Sequence, residues 1–166
     1  MKLLLNKCEE MVLLDEPALP QEKSGHRLLK VVCCALCRTD AKMWRNGHRD
    51  LKLPRVLGHE IAGVDETTGQ IYTVWPGQAC GVCRYCKAGR NNLCEEMKII
   101  GFHSDGGFAP YVSVPEASLV EVKDELDPLL ISFCEPVACA INGLSFVKKI
   151  ERARVIIYGG GVLGML

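Results

Sequence analysis

The chain has no net charge: its 20 Lys and Arg residues are balanced by 20 Asp and Glu. No run of one sign stands out, which argues against a nucleic-acid or anionic-lipid surface. Aromatic residues are scarce, at 6%, so a platform for stacking bases is not expected either. Long apolar runs are missing. The N-terminal Met1-Lys2-Leu3-Leu4-Leu5-Asn6 is too short for the apolar region of a signal peptide, and no small-residue cleavage site follows it. Nothing approaches the length of a membrane span. Repeats and low-complexity tracts are absent as well. These absences lead us to expect a cytoplasmic protein with no nucleic-acid and no membrane partner.

What the chain does have is cysteine, ten in 166 residues, with 48% apolar residues to build a core. In a reducing compartment ten thiols do not read as a disulfide framework. Cys80, Cys83, Cys86 and Cys94 cluster while the others are scattered. Cys80-x2-Cys83-x2-Cys86-x7-Cys94 suits zinc, which takes four soft ligands in a tetrahedron. Four thiolates leave no position for a substrate, so such a site is structural. The competing readings are unligated cysteines, a thioredoxin-like pair and a nucleic-acid-binding zinc ribbon. A thioredoxin-like pair needs a single Cys-x-x-Cys at a strand-to-helix junction, and a zinc ribbon needs a basic patch.

The pattern around this loop is mainly β. Arg27–Ala35, Ile61–Val64, Ile71–Trp75, Ala109–Val114 and Ser118–Val122 read as strands, with a turn at Asp65–Gln70. A helix starts near Thr39-Asp40, and the pattern turns helical from Pro128, with Pro136 in the first turn of a second helix. Val155-Ile156-Ile157-Tyr158 reads as a buried strand running into Gly159-x-Gly161-x-x-Gly164, a turn that can hold a pyrophosphate at a helix N-terminus. A dinucleotide fold would need further βα units and an acidic residue about 20 positions on.

A second metal site is suggested by fragments that are weak singly. Cys37 and His59 supply two ligands, and a catalytic zinc needs a third while keeping one position open. The segment Phe133-Cys134-Glu135-Pro136 offers either Cys134 or Glu135, adjacent residues that cannot easily point at one ion.

Taken in order, Cys37-Arg38-Thr39-Asp40, Gly58-His59-Glu60, the four-cysteine loop, Gly106-Gly107-Phe108-Ala109 and Glu135-Pro136 resemble the zinc-dependent medium-chain alcohol dehydrogenases. The Glu-Pro variant is most similar to the polyol (sorbitol-type) and threonine dehydrogenase branch. The resemblance covers most of residues 25–164. It implies a GroES-like β-barrel catalytic domain over residues 1–150, incomplete at its C-terminal side. Residues 151–166 would then be the first strand and glycine turn of a Rossmann domain.

The resemblance further implies a catalytic zinc on Cys37, His59 and Glu135, with Glu60 behind them or exchanging onto the metal. Thr39 would take the substrate's proton, and Arg38 would meet a phosphate of NAD or NADP beside Gly159, Gly161 and Gly164. The implied activity is hydride transfer between NAD(P) and a secondary alcohol of a small polar substrate such as a polyol, in a full-length homo-oligomer. This chain alone would be inactive. The alternative is a stand-alone GroES-like zinc-binding module without turnover. Two departures stand out: the stretch from His59 to Cys80 is short, and Lys42 stands where many relatives carry a proton-relaying histidine. Trp44, His48, Phe102 and His103 are candidates for lining a substrate pocket.

Overall fold

A computed structural model of the chain describes residues 1–15, 17–21, 23–123, 126–147 and 154–166. The boundary expected at residues 150–151 lies outside these. The first strands, β1 (Lys2–Lys7) and β2 (Glu10–Leu14), form an antiparallel hairpin, and β1 also pairs with β4 (Arg55–Val56). The larger sheet contains β3 (His26–Ala35), β5 (Glu60–Val64), β6 (Ile71–Val74), β9 (Tyr111–Pro115) and β10 (Leu119–Glu121), in the order β10-β6-β5-β3-β9. Every neighbouring pair in it is antiparallel. A third, two-stranded ladder joins β7 (Gly77–Gln78) to β8 (Lys98–Ile99) at the base of the cysteine loop.

The five strands of the larger sheet all carry β-branched residues, which suit a pleated, half-buried surface, whereas β1 is built on Leu3-Leu4-Leu5. Residues 106–110 stitch the two larger sheets together. Leu3 N–H donates to Phe108 O at 2.8 Å, Phe108 N–H to Leu57 O at 3.0 Å, and Val31 N–H to Pro110 O at 2.8 Å. The result is a curled, partly open barrel, the mainly β fold with some helix that the sequence led us to expect. Leu29, Ile61, Val74, Ile100, Val112 and Val114 fill its centre. A second cluster of Leu5, Met43, Leu57 and Phe102 packs α1 (Arg38–Asn46) against the smaller sheet.

β3 carries an irregularity that matters for the site. Its register against β5 shifts between Val31 and Cys33, which leaves Val32 over as an extra residue. Such a bulge bends the strand, and here it re-aims the end of β3 that leads into Cys37.

A short helix, α2 (Arg84–Lys87), lies within the cysteine loop. Beyond the barrel come α3 (Pro128–Ser132) and α4 (Cys134–Ser145), with Pro136 in the first turn of α4 as expected. Asp127 caps α3, accepting the Leu129 N–H at 2.8 Å. α3 is tied to the sheet by Thr73 Oγ1, which donates to Ile131 O at 3.3 Å. Among the described residues no helix is long and apolar enough to cross a membrane.

One expectation fails here. Val155–Tyr158 forms no strand with any of the described residues, and Ile156 and Tyr158 are 93% and 105% exposed. A strand of a parallel sheet is buried by neighbouring strands and crossover helices, and the described residues contain none for this segment. The short α5 (Val162–Met165) follows the glycines.

Candidate metal centres

The four cysteines of the loop converge although the chain between them contains little regular structure. The donor atoms of Cys80, Cys83, Cys86 and Cys94 all lie within 4.8 Å of one another. Cys83 and Cys86 sulfurs are 3.5 Å apart, and Cys80 and Cys86 sulfurs 4.0 Å. A tetrahedral ion with metal–sulfur bonds of roughly 2.3 Å has sulfur–sulfur edges of about 3.8 Å. These separations match that edge and far exceed a disulfide bond, and all ten cysteines are free.

The surrounding backbone already treats the sulfurs as anions. Cys80 N–H donates to Cys94 Sγ at 3.2 Å, and Cys83 N–H to Cys80 Sγ at 3.4 Å. Backbone N–H groups of Cys86 and Glu95 hold the Cys83 thiol down at about 6, while desolvation and the adjacent Cys83 thiol push Cys86 up to about 12. Crowded thiolates resist ionising together unless a cation sits among them, so this donor set fits zinc.

The second cluster is assembled from three places. β3 ends at Ala35, and Cys37 follows as the N-cap of α1, its sulfur accepting the Thr39 N–H at 3.5 Å. His59 sits in the turn between β4 and β5, and Glu60 is the first residue of β5, paired with Ala35. Donor atoms of Cys37, His59 and Glu60 lie within 4.8 Å of one another, with His59 and Glu60 buried.

Asp40 holds this arrangement together, and sequence reasoning used it only as a helix-start residue. It is 3% exposed. One of its oxygens accepts the Cys37 N–H at 2.9 Å, and the other accepts the Gly58 N–H at 3.3 Å while lying 3.5 Å from His59 Nδ1. The recognisable pattern was a capping box, an acidic residue three positions after the N-cap, here with cysteine as the cap. The 3.5 Å contact does not qualify as a hydrogen bond, so His59 Nδ1 is buried without a partner. Burial disfavours the His59 cation most strongly, yet Asp40 and Cys37 together outweigh it and hold the pKa up at about 9. A metal cation would satisfy the same preference for positive charge.

The glycines beside this site are steric requirements. Gly58 has φ +94°, and a Cβ there would lie 2.7 Å from Phe108 and 2.8 Å from Cys34. A Cβ on Gly106 would come within 2.1 Å of Gly58 O. The Gly106-Gly107 pair thus lets the stitching segment lie directly on the backbone that presents His59.

The helical donors end up in unequal positions. Among the described residues Glu135 is not within the 4.8 Å grouping; Glu60 occupies that place. Burial raises the Glu60 pKa and the Glu135 charge adds to it, so the two carboxylates sense each other. Glu135 Oε1 accepts from the Cys139 thiol, one helical turn on, at 3.6 Å. Desolvation and then Glu135 raise the Cys139 pKa, and α4 packs against β5, the strand that Glu60 begins. Cys134 turns away, its sulfur 4.0 Å from Leu130 O.

With both clusters in place, the comparison with known proteins is direct. Residues 23–124 match the alcohol dehydrogenase GroES-like domain. The chain belongs to this family. It is 32% identical over 174 residues to the L-galactonate-5-dehydrogenase of Escherichia coli K12, aligning 99% of itself with 51% of that protein. It is 31% identical over 173 residues to the L-threonine 3-dehydrogenase of a Chelativorans species, aligning 96% with 50%. A zinc-binding dehydrogenase of Sinorhizobium meliloti, solved with NADP, superposes with a TM-score of 0.79 at 35% identity, over 87% of this chain and 44% of that one. The chain spans about half the length of the curated relatives it matches.

In this member of the GroES-like family, a cleft of about 450 Å³ opens beside Cys37, walled by Arg38, Trp44, Leu57 and Phe108. Arg38 is exposed and Thr39 half-buried at the start of α1. Phe102 stacks near His59, their ring centroids 5.8 Å apart, and His48 meets the edge of Phe102 at 5.7 Å. His103 is occupied elsewhere, its Nδ1 accepting the Ile99 N–H at 3.0 Å. Lys42 is exposed. Gly159, Gly161 and Gly164 form a turn into α5, and a Cβ on Gly164 would lie 2.1 Å from Gly159 O, the close approach that a glycine at this position permits.

Proposed function

We propose that this chain is the zinc-bearing part of an NAD(P)-dependent dehydrogenase that oxidises a secondary alcohol of a small polar substrate, of the polyol or sugar-acid kind. The observation that carries this reading is the three-donor cluster of Cys37, His59 and Glu60 beside a cleft, with Glu135 close behind. Three protein donors and one free position are the arrangement of a catalytic zinc, in contrast to the closed thiol set of the loop. Zinc held there would act as a Lewis acid on the alcohol oxygen.

The chain's own residues would do the rest. Asp40 accepts the backbone N–H groups of Cys37 and Gly58 and would so hold the two segments that present Cys37 and His59 when a ligand enters. Thr39, next to Cys37, offers a hydroxyl that can take the alcohol proton and pass it outward. Arg38 lines the cleft and would meet a phosphate of the cofactor, and Gly159, Gly161 and Gly164 would let a pyrophosphate approach backbone N–H groups. The hydride acceptor is a nicotinamide, as in the NADP-bound relative.

A second reading, a zinc-binding module without turnover, is favoured by one observation about the chain taken alone: Val155–Tyr158 has no sheet around it to position a nicotinamide. We therefore propose that the 166-residue chain by itself does not catalyse, although it carries the metal machinery. Native mass spectrometry tests the core of the proposal. Two zinc ions per chain are expected, one lost in Cys83→Ser and the other in His59→Ala. A chain that takes up only the loop zinc, whatever residue stands at 59, would leave the alcohol-oxidising reading without its centre. Calorimetric titration of NAD and NADP should show no specific binding to this chain, and turnover abolished by His59→Ala would overturn the inactive reading.

A further inference from the structure

Two carboxylates lie on elements that pack together at the open cluster, and a thiol engages one of them. Glu60 lies among the donors with Cys37 and His59, whereas Glu135 stands outside them. Glu135 sits in the first turn of α4, and α4 packs against β5, the strand that Glu60 begins. What engages it is Cys139. Residues four apart on a helix lie on one face, and here the Cys139 thiol donates to Glu135 Oε1 at 3.6 Å. Cys139 belongs to neither metal cluster, so its thiol is free for this role.

We infer that Cys139 is a positioning residue that holds Glu135 back from Cys37, His59 and Glu60, so that Glu60 completes the donor set and Glu135 becomes available only when the thiol lets go. The inference rests on reading those three residues as a zinc site. Losing the thiol costs Glu135 a hydrogen-bond donor. The carboxylate then gains by turning to a cation, the stronger partner for a charged acceptor.

The test is zinc binding to the whole chain, followed by competition with a chromophoric chelator, with cobalt substituted for zinc to report coordination number by its visible absorption. Cys139→Ala should tighten the open site roughly three- to tenfold, within the range by which outer partners of metal ligands act, and shift the cobalt spectrum. Cys139→Ser should resemble the unaltered chain, because a hydroxyl still donates. Glu60→Gln should weaken the open site strongly in the unaltered chain and much less in the Cys139→Ala background, a non-additivity diagnostic of exchange between the two carboxylates. Glu135→Gln should abolish the gain from Cys139→Ala.

Alanine favours helix, so loss of α4 is not expected to obscure the result. Unchanged affinity and spectrum in Cys139→Ala, or identical behaviour of the Ala and Ser variants, would overturn the role of Cys139 while leaving the zinc site standing. Failure of the unaltered chain to bind a second equivalent would sink both.

Discussion

The two metal clusters are built by opposite strategies. The loop gathers four like donors from residues 80–94, and short spacing does most of the work. The open cluster gathers three unlike donors from the N-cap of α1, the segment before β5 and the start of β5, and it depends on the barrel to bring them together. The loop should therefore depend on its ion to fold, and the open cluster on its fold to bind an ion. Among the described residues, the loop around the first is held by the β7–β8 ladder, the Arg84–Glu95 ion pair and local backbone hydrogen bonds, while at the second Asp40 joins the backbone of Cys37 to that of Gly58 across the fold.

That contrast is broken most directly at Cys83. Replacing it with serine should remove the loop zinc and lower stability by ~3 kcal/mol, about 10 °C in melting temperature for a chain of this size. The open cluster should still take up its zinc. Full metal content and an unchanged melting curve in Cys83→Ser would show that the loop holds itself without an ion.

The reciprocal change, His59→Ala, should empty the open cluster and leave the loop zinc and the melting temperature nearly unaltered. Mild chelation of the unaltered chain should remove the same ion first, because a mixed set with an exchangeable position holds zinc less tightly than four thiolates. The two should also differ in their response to pH. In the metal-free chain His59 is held up at about 9 by Asp40 and Cys37, against the pull of burial. Below that pH zinc must displace a proton, so open-site affinity should fall about tenfold per unit as the pH drops from 9 and level off above it. Flat affinity between pH 7 and 9, measured by chelator competition, would mean that His59 carries no proton for zinc to displace.

Asp40→Asn sharpens the comparison at the level of support. It keeps the shape but removes the charge facing His59 and one of the two oxygens that accept from Cys37 and Gly58, so open-site affinity should fall about 10- to 100-fold. The loop, which Asp40 does not touch, should be unaffected. Equal weakening of both sites would mean that Asp40 acts through general stability.

The same contrast explains what could be read in advance. The loop was legible because its four ligands share one short stretch. The strands of the larger sheet were legible as β-rich runs bounded by turn residues, and the two helices from Pro128 and Pro136. The nearness of Glu60 to Cys37 and His59 was not legible from spacing; only the family resemblance put Glu60 behind the ligands or exchanging onto the metal. Adjacent residues were expected to point apart, an argument applied to Cys134 and Glu135, yet His59 and Glu60 converge. They can do so because His59 precedes the strand, in a turn entered through Gly58 at φ +94°, and so escapes the alternation that governs β5. Asp40 escaped notice as a site residue because its partners, Gly58 and His59, lie 18 and 19 positions away. Val155–Tyr158 carries the composition of a strand, but composition supplies no neighbours.

The smallest expected effect belongs to Cys134, and it bears directly on the third donor. Cys134 and Glu135 begin α4 side by side, and a thiolate would be the softer and ordinarily preferred zinc ligand. The structure nevertheless turns the Cys134 sulfur toward Leu130 O, at 4.0 Å a weak contact at most, while Glu135 engages Cys139. For Cys134 to reach Cys37 and His59, the first turn of α4 would have to rotate by about 100°, dragging buried Pro136 out of its packing. Cys134→Ala should therefore leave zinc stoichiometry, open-site affinity and the cobalt spectrum unchanged, and shift stability by no more than about 0.5 kcal/mol, as for a surface substitution. Loss of the second zinc in this variant, or loss of a sulfur-to-cobalt charge-transfer band beyond the contribution of Cys37, would place two thiolates on that metal and displace both carboxylates from the role assigned to them.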